Sequence, residues 1–140
     1  MPTVEVSFTA LPAHVRTARL VATAVARRSG VDEALLDEVR LAVGEACSRA
    51  VEAHRRHCPA EPVRIEMTDA DERFVVTVSD HAPTPSASPL APARDQDGGA
   101  AIPAGFGLAV ISGLADDVRV SSTSSGVSVR MSWPSAAAPA

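Results

Sequence analysis

The sequence predicts an α+β fold, a two-layer α/β sandwich in which a mostly antiparallel five-stranded sheet carries three helices on one face. Two long segments repeat apolar residues at helical spacing, and five short segments alternate apolar with polar residues as half-buried strands do. Four of these strands form two pairs joined by short polar turns. Hairpins make neighbouring strands antiparallel, and the helices then share one face of the sheet.

The first half of the chain predicts one strand and two helices. Apolar residues alternate with polar ones over residues 4–8, as in a strand. After Pro12 the spacing becomes helical, and this first helix ends with two arginines before Gly30, a natural left-handed cap. Asp32 is a good N-cap for a second helix that extends to about Arg56, where a Cys-Pro pair stops it.

A hairpin and a long loop follow. Strand patterns at 63–67 and 74–78 are joined by a polar turn at 69–72. The segment 82–104 contains five prolines and a Gly-Gly pair, and it has little apolar surface to bury. We therefore expect a mobile loop there. Such a long loop in a compact domain is often a lid or binding loop, and the alternative is a solvated insertion without a role.

The last part of the chain predicts a short helix from Gly105 to Leu114 and a second hairpin. Its strands are marked by apolar alternation around Val118 and from Val127, with a turn at 124–126. The 140 residues thus read as one domain, residues 1–134, followed by a frayed tail, residues 135–140.

Composition excludes several classes of function. The net charge is −4, and all 13 basic residues are arginine, which argues against nonspecific nucleic-acid binding and excludes a phosphate-binding lysine. No apolar run approaches the roughly 20 residues that span a bilayer, and the N-terminus lacks the pattern of a signal peptide. We therefore expect a cytoplasmic protein without a membrane or nucleic-acid partner. Its two cysteines fit neither a disulfide framework nor a zinc site.

Glu45 and Arg49 stand one helical turn apart in the second predicted helix. A Glu four residues before an Arg fits a surface salt bridge worth about 0.3–0.5 kcal/mol. Glu45 would instead be a catalytic base if it faced a pocket and took a proton from a hydroxyl nucleophile. Spacing does not distinguish these two interpretations.

Two further features fit a nucleotide site. Asp80 ends a predicted strand, where a sheet can present a carboxylate to a ligand, although aspartate is also an ordinary turn residue. The run Gly105-Phe-Gly107 precedes the third helix, whose free amides could hold phosphate; it could equally be a turn that needs positive φ. The histidines are scattered along the sequence without convincing partners, so no metal site is predicted.

Taken in order, these segments resemble a known family. The helix segment 39–51, the Val-Ser-Asp80 run, the segment 105–111 and the closing strands resemble the serine-kinase anti-sigma factors of bacterial partner-switching systems. These proteins are members of the histidine-kinase-like ATPase superfamily, which has the Bergerat fold, and the similarity is to their actinobacterial branch. It extends from Val4 to Trp133.

The resemblance implies roles for single residues. Glu45 would be the general base that activates a serine of a partner protein. Asp80 would bind the amino group of adenine in ATP, and the segment 82–104 would be the lid. The turn beside the phosphates would be formed by Gly105, Gly107 and Leu108.

Three departures from the family pattern bear on the nucleotide. Arg49 replaces the asparagine that binds Mg²⁺, and a guanidinium has no lone pair for a metal. The glycines after Asp80 are replaced by residues 81–84, and the usual threonine of the last glycine box is Val127. Arg49 could still pair with a phosphate, which would give metal-poor nucleotide binding. ATP therefore remains a candidate cofactor, without Mg²⁺.

The resemblance implies an anti-sigma-factor-like regulator with a degenerate ATP site. It would bind a sigma factor, an anti-anti-sigma factor or both, and it would form a homodimer. The alternative is an active ATP-dependent serine/threonine protein kinase that phosphorylates an anti-anti-sigma factor, with Glu45 as the base. A third interpretation is a nucleotide-binding switch without transfer, in which ATP orders the lid.

Overall fold

A computed structural model describes residues 3–82 and 109–135 of the chain. In chain order the elements are β1 (Thr3–Phe8), α1 (Pro12–Arg28), a 3-10 turn (Glu33–Leu35), α2 (Leu36–His57), β2 (Val63–Ala70), β3 (Arg73–Ser79), the described part of α3 (109–114), β4 (Asp117–Thr123) and β5 (Gly126–Pro134). The predicted α+β fold, with five strands and three helices, is confirmed.

The five strands form one sheet in the order β1-β2-β3-β5-β4, and every neighbouring pair is antiparallel. Rows of apolar side chains cross this sheet in register. One row consists of Val6, Ile65, Val78, Val129 and Val120, and the next consists of Val4, Met67, Val76, Met131 and Val118. Because side chains alternate along a strand, all of these project to the same face.

The helices cover that apolar face. The second helix lies against β2 and β3, and α1 packs along α2. Small side chains on α1 allow a close approach, since Ala18, Ala22 and Ala26 are all buried. On the facing side, Gly44 leaves room for Arg19, because a Cβ at that position would lie 2.6 Å from Arg19 Cδ. A glycine in the middle of α2 is therefore explained by helix packing.

The C-terminal end of the third helix packs against the same face of the sheet. Ile111 is fully buried in the core, and the indole Nε1–H of Trp133 donates a hydrogen bond to the carbonyl of Leu114 over 3.1 Å. Trp133 also packs on Phe74, with ring centroids 6.2 Å apart. The predicted start of this helix, Gly105, lies outside the described residues.

The turns are tighter than the sequence indicates. The β2–β3 turn consists of Asp71 and Glu72 alone, both at positive φ (56° and 60°). Strand β2 therefore extends to Ala70, and β3 begins at Arg73. Asp32 does accept a backbone hydrogen bond, as predicted for an N-cap, but it caps the 3-10 turn that precedes α2. Within residues 3–82 and 109–135, no helix combines the length and apolar character needed to cross a membrane.

The two cysteines have different surroundings. Cys47 is fully buried beneath α1, and burial raises the pKa of its thiol to about 12, an effect that the nearby charge of Arg19 only partly opposes. Cys58 follows α2 and is partly exposed; desolvation, with smaller contributions from the charges of Glu61 and Asp80, raises its pKa. Both thiols are therefore protonated near neutral pH.

We expect a maleimide at pH 7.5 to label native protein once per chain, at Cys58, and to label Cys47 only after unfolding. The reason is that Cys47 is inaccessible to the reagent, whereas Cys58 is partly exposed and its small thiolate fraction can react. Mass spectrometry of labelled protein checks this. The Cys58→Ser variant is the control, which should stay unlabelled when native and take one label in denaturant; rapid native labelling of that variant would contradict the buried position of Cys47.

Candidate functional site

A buried ion pair joins the helical layer to the sheet. Arg49 projects from α2, Asp80 directly follows β3, and Arg49 Nη2 donates a hydrogen bond to Asp80 Oδ2. The side chain of Arg49 is 16% exposed and that of Asp80 is 1% exposed. The structure therefore brings together two of the residues singled out in the sequence.

The remaining oxygen of Asp80 is held by the backbone. Its Oδ1 accepts hydrogen bonds from the N–H groups of Ala82 (3.1 Å) and Val127 (3.2 Å), and its own N–H donates to the carbonyl of Val127 (2.9 Å). An ionised carboxylate has about four acceptor sites. Three of those sites on Asp80 are used within the protein.

Gly126 makes this arrangement sterically possible. Its φ is +149°, a conformation that side chains disfavour, and a Cβ there would lie 2.0 Å from the carbonyl oxygen of Asp80. From the sequence, Gly126 is expected in a turn that leads into the closing strand. In the structure it is the first residue of β5 and lies directly against the backbone of Asp80.

Of the two interpretations of Glu45 and Arg49, the salt bridge between them is not formed, because Arg49 pairs with Asp80 instead. Glu45 is half-buried and makes no ion pair or hydrogen bond through its side chain with any described residue. Arg49 Nε is buried and has no hydrogen-bond partner among the described residues. The carboxylate oxygens of Glu45 therefore accept no hydrogen bond from residues 3–82 or 109–135.

His54 is a second connection between α2 and the segment after β3. Its ring is fully buried. Nδ1 lies 2.8 Å from the carbonyl of Glu61, and Nε2 lies 2.8 Å from the N–H of His81. A carbonyl accepts and an N–H donates, so these partners assign a neutral ring with its proton on Nδ1.

The sequence did contain a signal for His54. The buried stripe of α2 includes Val43, Cys47 and Ala50, and His54 is the next position at helical spacing. A histidine at the end of an apolar stripe is buried, and a buried ring needs partners for its nitrogens.

The other predicted site residues, Gly105, Gly107 and Leu108, lie outside the described residues, as does the proposed lid from residue 83 onwards. The structure therefore does not place them relative to Asp80. In the described part of the chain, no three His, Cys, Asp or Glu side chains are arranged to hold a metal ion.

Comparisons with known proteins identify a matching family and a solved structure of similar fold. The sequence pattern of the histidine kinase-like ATPase domain matches residues 8–133. Among solved structures, a chain with the RsbU and RsbW domains of Rv1364c from Mycobacterium tuberculosis is similar, with a TM-score of 0.68 at 16% identity. The alignment covers all of the present chain but only 35% of the length of the Rv1364c chain. At this identity the similarity shows a shared fold and nothing more. No curated protein sequence matches significantly.

We expect Arg49→Met and Asp80→Asn each to lower the free energy of unfolding by about 3 kcal/mol or more, because each leaves a buried polar partner uncompensated. The double variant should lose at least about 1 kcal/mol less stability than the two single variants lose in total, since both changes remove the same interaction. Urea unfolding followed by the fluorescence of Trp133 measures both quantities.

The matched control is the exposed pair of Arg40 and Asp37, one turn apart near the start of α2. Arg40→Met and Asp37→Asn should each change the stability by no more than about 1 kcal/mol. Equal effects at the exposed and the buried pair would contradict the structural importance of Arg49 and Asp80.

Proposed function

The chain belongs to the histidine kinase-like ATPase domain family, and from this premise we propose that it is an anti-sigma-factor-like regulator in the cytoplasm. It binds a sigma factor, an anti-anti-sigma factor or both, and it acts as a homodimer. In this proposal its ATP site is degenerate, and regulation operates through protein contacts without a nucleotide.

The contacts of Asp80 carry the proposal. An adenine amino group would need an acceptor on this carboxylate, and Oδ2 is taken by Arg49 while Oδ1 accepts two backbone N–H groups. Displacing Arg49 would leave its buried guanidinium without an anion, a change that typically costs about 3–5 kcal/mol. At about 1.4 kcal/mol per tenfold change, that penalty weakens binding by a factor of about 100 to several thousand.

The same residue opposes magnesium. A guanidinium has no lone pair to offer a cation, so Arg49 cannot serve as a metal ligand. Arg49 also has its charge neutralised by Asp80, which supports a structural role for it over phosphate binding.

Surface composition supports binding to another protein. The large hydrophobic side chains that are exposed in the described chain are those of Leu11, Leu20 and Leu41. The first immediately precedes α1, the second lies on α1 and the third on α2, so all three belong to the helical pair. We therefore propose that a partner protein contacts the chain at these exposed leucines.

One observation favours the alternative of an active serine/threonine kinase. Glu45 is half-buried, and its carboxylate is not used by any described residue, so it is available as a base for a partner's hydroxyl. That alternative requires ATP binding, which the first of the following experiments measures directly.

We expect calorimetric titration with ATP, up to millimolar concentration and with or without Mg²⁺, to show no saturable binding to the unmodified chain. Arg49→Asn should gain measurable affinity, because it frees Oδ2 of Asp80 and supplies an amide oxygen. Arg55→Asn, on an exposed position of the same helix, is the control and should behave as the unmodified chain.

Saturable ATP binding by the unmodified chain would contradict the degenerate site. A phosphotransfer assay with an anti-anti-sigma protein would then be required, with Glu45→Ala as the variant that should abolish transfer.

We expect the purified chain to bind at least one sigma factor or anti-anti-sigma factor encoded by the same genome, with an affinity unchanged by ATP. Replacement of Leu20 or Leu41 by Ser should weaken that binding by about tenfold, because each loses an apolar contact. Biolayer interferometry measures the affinities, and Ser121→Ala on the exposed strand β4 is the control. Failure of every such protein to bind at micromolar concentration would refute the proposed function.

A further inference from the structure

His54 is a buried titratable side chain that the proposed function does not use. It lies in the last turn of α2, and its ring is fully buried. Histidine is the side chain whose charge ordinarily changes between about pH 5 and pH 8. When the surroundings of a buried histidine accept only one of its charge states, the conformation of those surroundings becomes coupled to pH.

The two hydrogen bonds of this ring leave no place for a second ring proton. Nδ1 lies 2.8 Å from the carbonyl oxygen of Glu61, so Nδ1 carries the proton. Nε2 lies 2.8 Å from the backbone nitrogen of His81, so Nε2 accepts. A proton added at Nε2 would point at the N–H of His81. Two donors would then face each other at a position from which solvent is excluded, which is costly.

The two partners of the ring respond differently to its protonation. The contact with the carbonyl of Glu61 is retained in the charged ring, because both ring nitrogens then donate. The contact with His81 is lost, because a backbone N–H cannot accept. Protonation of His54 therefore acts on one side of the ring only, the side that holds the segment after β3.

The groups that face the ring from other elements supply little negative charge to stabilise a proton on it. Glu61 contacts the ring through its backbone, and its side chain is exposed. Asp80 directly precedes His81, but its charge is paired with that of Arg49. Cys58 follows α2 and is neutral, because desolvation, with smaller contributions from nearby acids, raises the pKa of its thiol.

The basic groups near His54 are exposed. The ring of His81 is centred 6.0 Å from that of His54, and Arg55 and His57 belong to the same turn of α2. Solvent screens these charges. The C-terminal carbonyls of α2 favour a cation in this turn. The obstacle to protonation is therefore the N–H of His81 and not the field of the helix.

We infer that His54 is a pH-sensitive switch, which holds the backbone of residues 81–82 against α2 when it is neutral and releases that backbone when it is protonated. On release, Nε2–H of His54 is solvated, and Ala82 no longer donates to Asp80 Oδ1. Asp80 itself stays in place through Arg49 and Val127. Acid thus frees one acceptor position on the Asp80 carboxylate without unfolding the domain.

The direction of the pH dependence follows from proton binding. The released state binds one more proton than the closed state, because Nε2 can be protonated and solvated only after release. Release is therefore favoured as the pH falls, and the closed state is favoured as the pH rises. An exposed histidine ionises near about pH 6.5, so release should become about tenfold more favourable between pH 7.5 and pH 5.5.

The switch goes beyond the proposed function and does not depend on it. It requires the ring of His54 and two backbone groups, and it operates whether or not the chain binds a sigma factor. Loss of the switch would leave partner binding to be judged by its own experiment, and failure of partner binding would leave the switch unaffected.

Hydrogen exchange followed by NMR measures release as a fall in the protection factors of the His81 and Ala82 amides, from which the intrinsic pH dependence of exchange is removed. From pH 7.5 to pH 5.5, where carboxylates stay ionised, both factors should fall about tenfold. The amide of Val31, which donates to Ala26 at the end of α1, is the internal control and should keep its protection. Constant protection at residues 81–82, or an equal fall at Val31, would overturn the local switch.

Variants identify the group that titrates. His54→Gln places a neutral acceptor near the position of Nε2 and cannot be protonated in this range, so protection at residues 81–82 should no longer depend on pH. His81→Gln keeps the backbone N–H and removes the second ring, and His57→Gln removes an exposed histidine of the same helix. Both should respond to pH as the unmodified chain does. A response that survives His54→Gln, or that vanishes in His81→Gln, would assign the titration to another group.

A measurement on the unmodified chain makes the test independent of how well the variants fold. The chemical shifts of the His54 ring nitrogens report the tautomer and the charge of the ring through the same titration. At pH 7.5 the ring should be neutral with its proton on Nδ1, and protection of the His81 amide should fall as the ring becomes charged. A charged ring beside a protected His81 amide, or loss of that protection while the ring stays neutral, would refute the switch.

Discussion

The ion pair between Arg49 and Asp80 is the contact on which the arrangement of the site depends. It crosses from the helical layer to the end of β3, and both partners are largely removed from water. Such a pair tolerates the loss of neither partner, because the remaining charge would stay in a medium that solvates it poorly. The position of the segment after β3 is therefore coupled to the rotation of α2 about its own axis.

Two other contacts reinforce this coupling. His54, just over one turn along α2 from Arg49, holds the backbone of His81, and Gly126 allows β5 to lie directly against Asp80. One face of a single helix thus packs the core and also fixes the backbone from which Asp80 projects. The chain itself supplies the cation that pairs with this carboxylate.

The helices and strands could be predicted because their signals are local. Alternation over six to nine residues and helical spacing over about twenty are properties of contiguous sequence. The order of the strands could not, because it is set by pairs such as Ser79 with Ser128, which lie far apart in the chain. Arg49 and Asp80 can each be singled out in the sequence, but their pairing cannot be predicted from it. A Glu four residues before Arg49 satisfies the local rule, while Asp80, which lies 31 residues later, forms the contact.

Strand order also has a consequence for the way the chain is made. The last strand in sequence, β5, occupies an interior position between β3 and β4. Until β5 has been synthesised, β3 lacks the strand with which it pairs on that side, and Phe74 lacks the cover of Trp133. An unpaired strand edge beside apolar surface favours aggregation, so a chain that stops before β5 should be prone to aggregate.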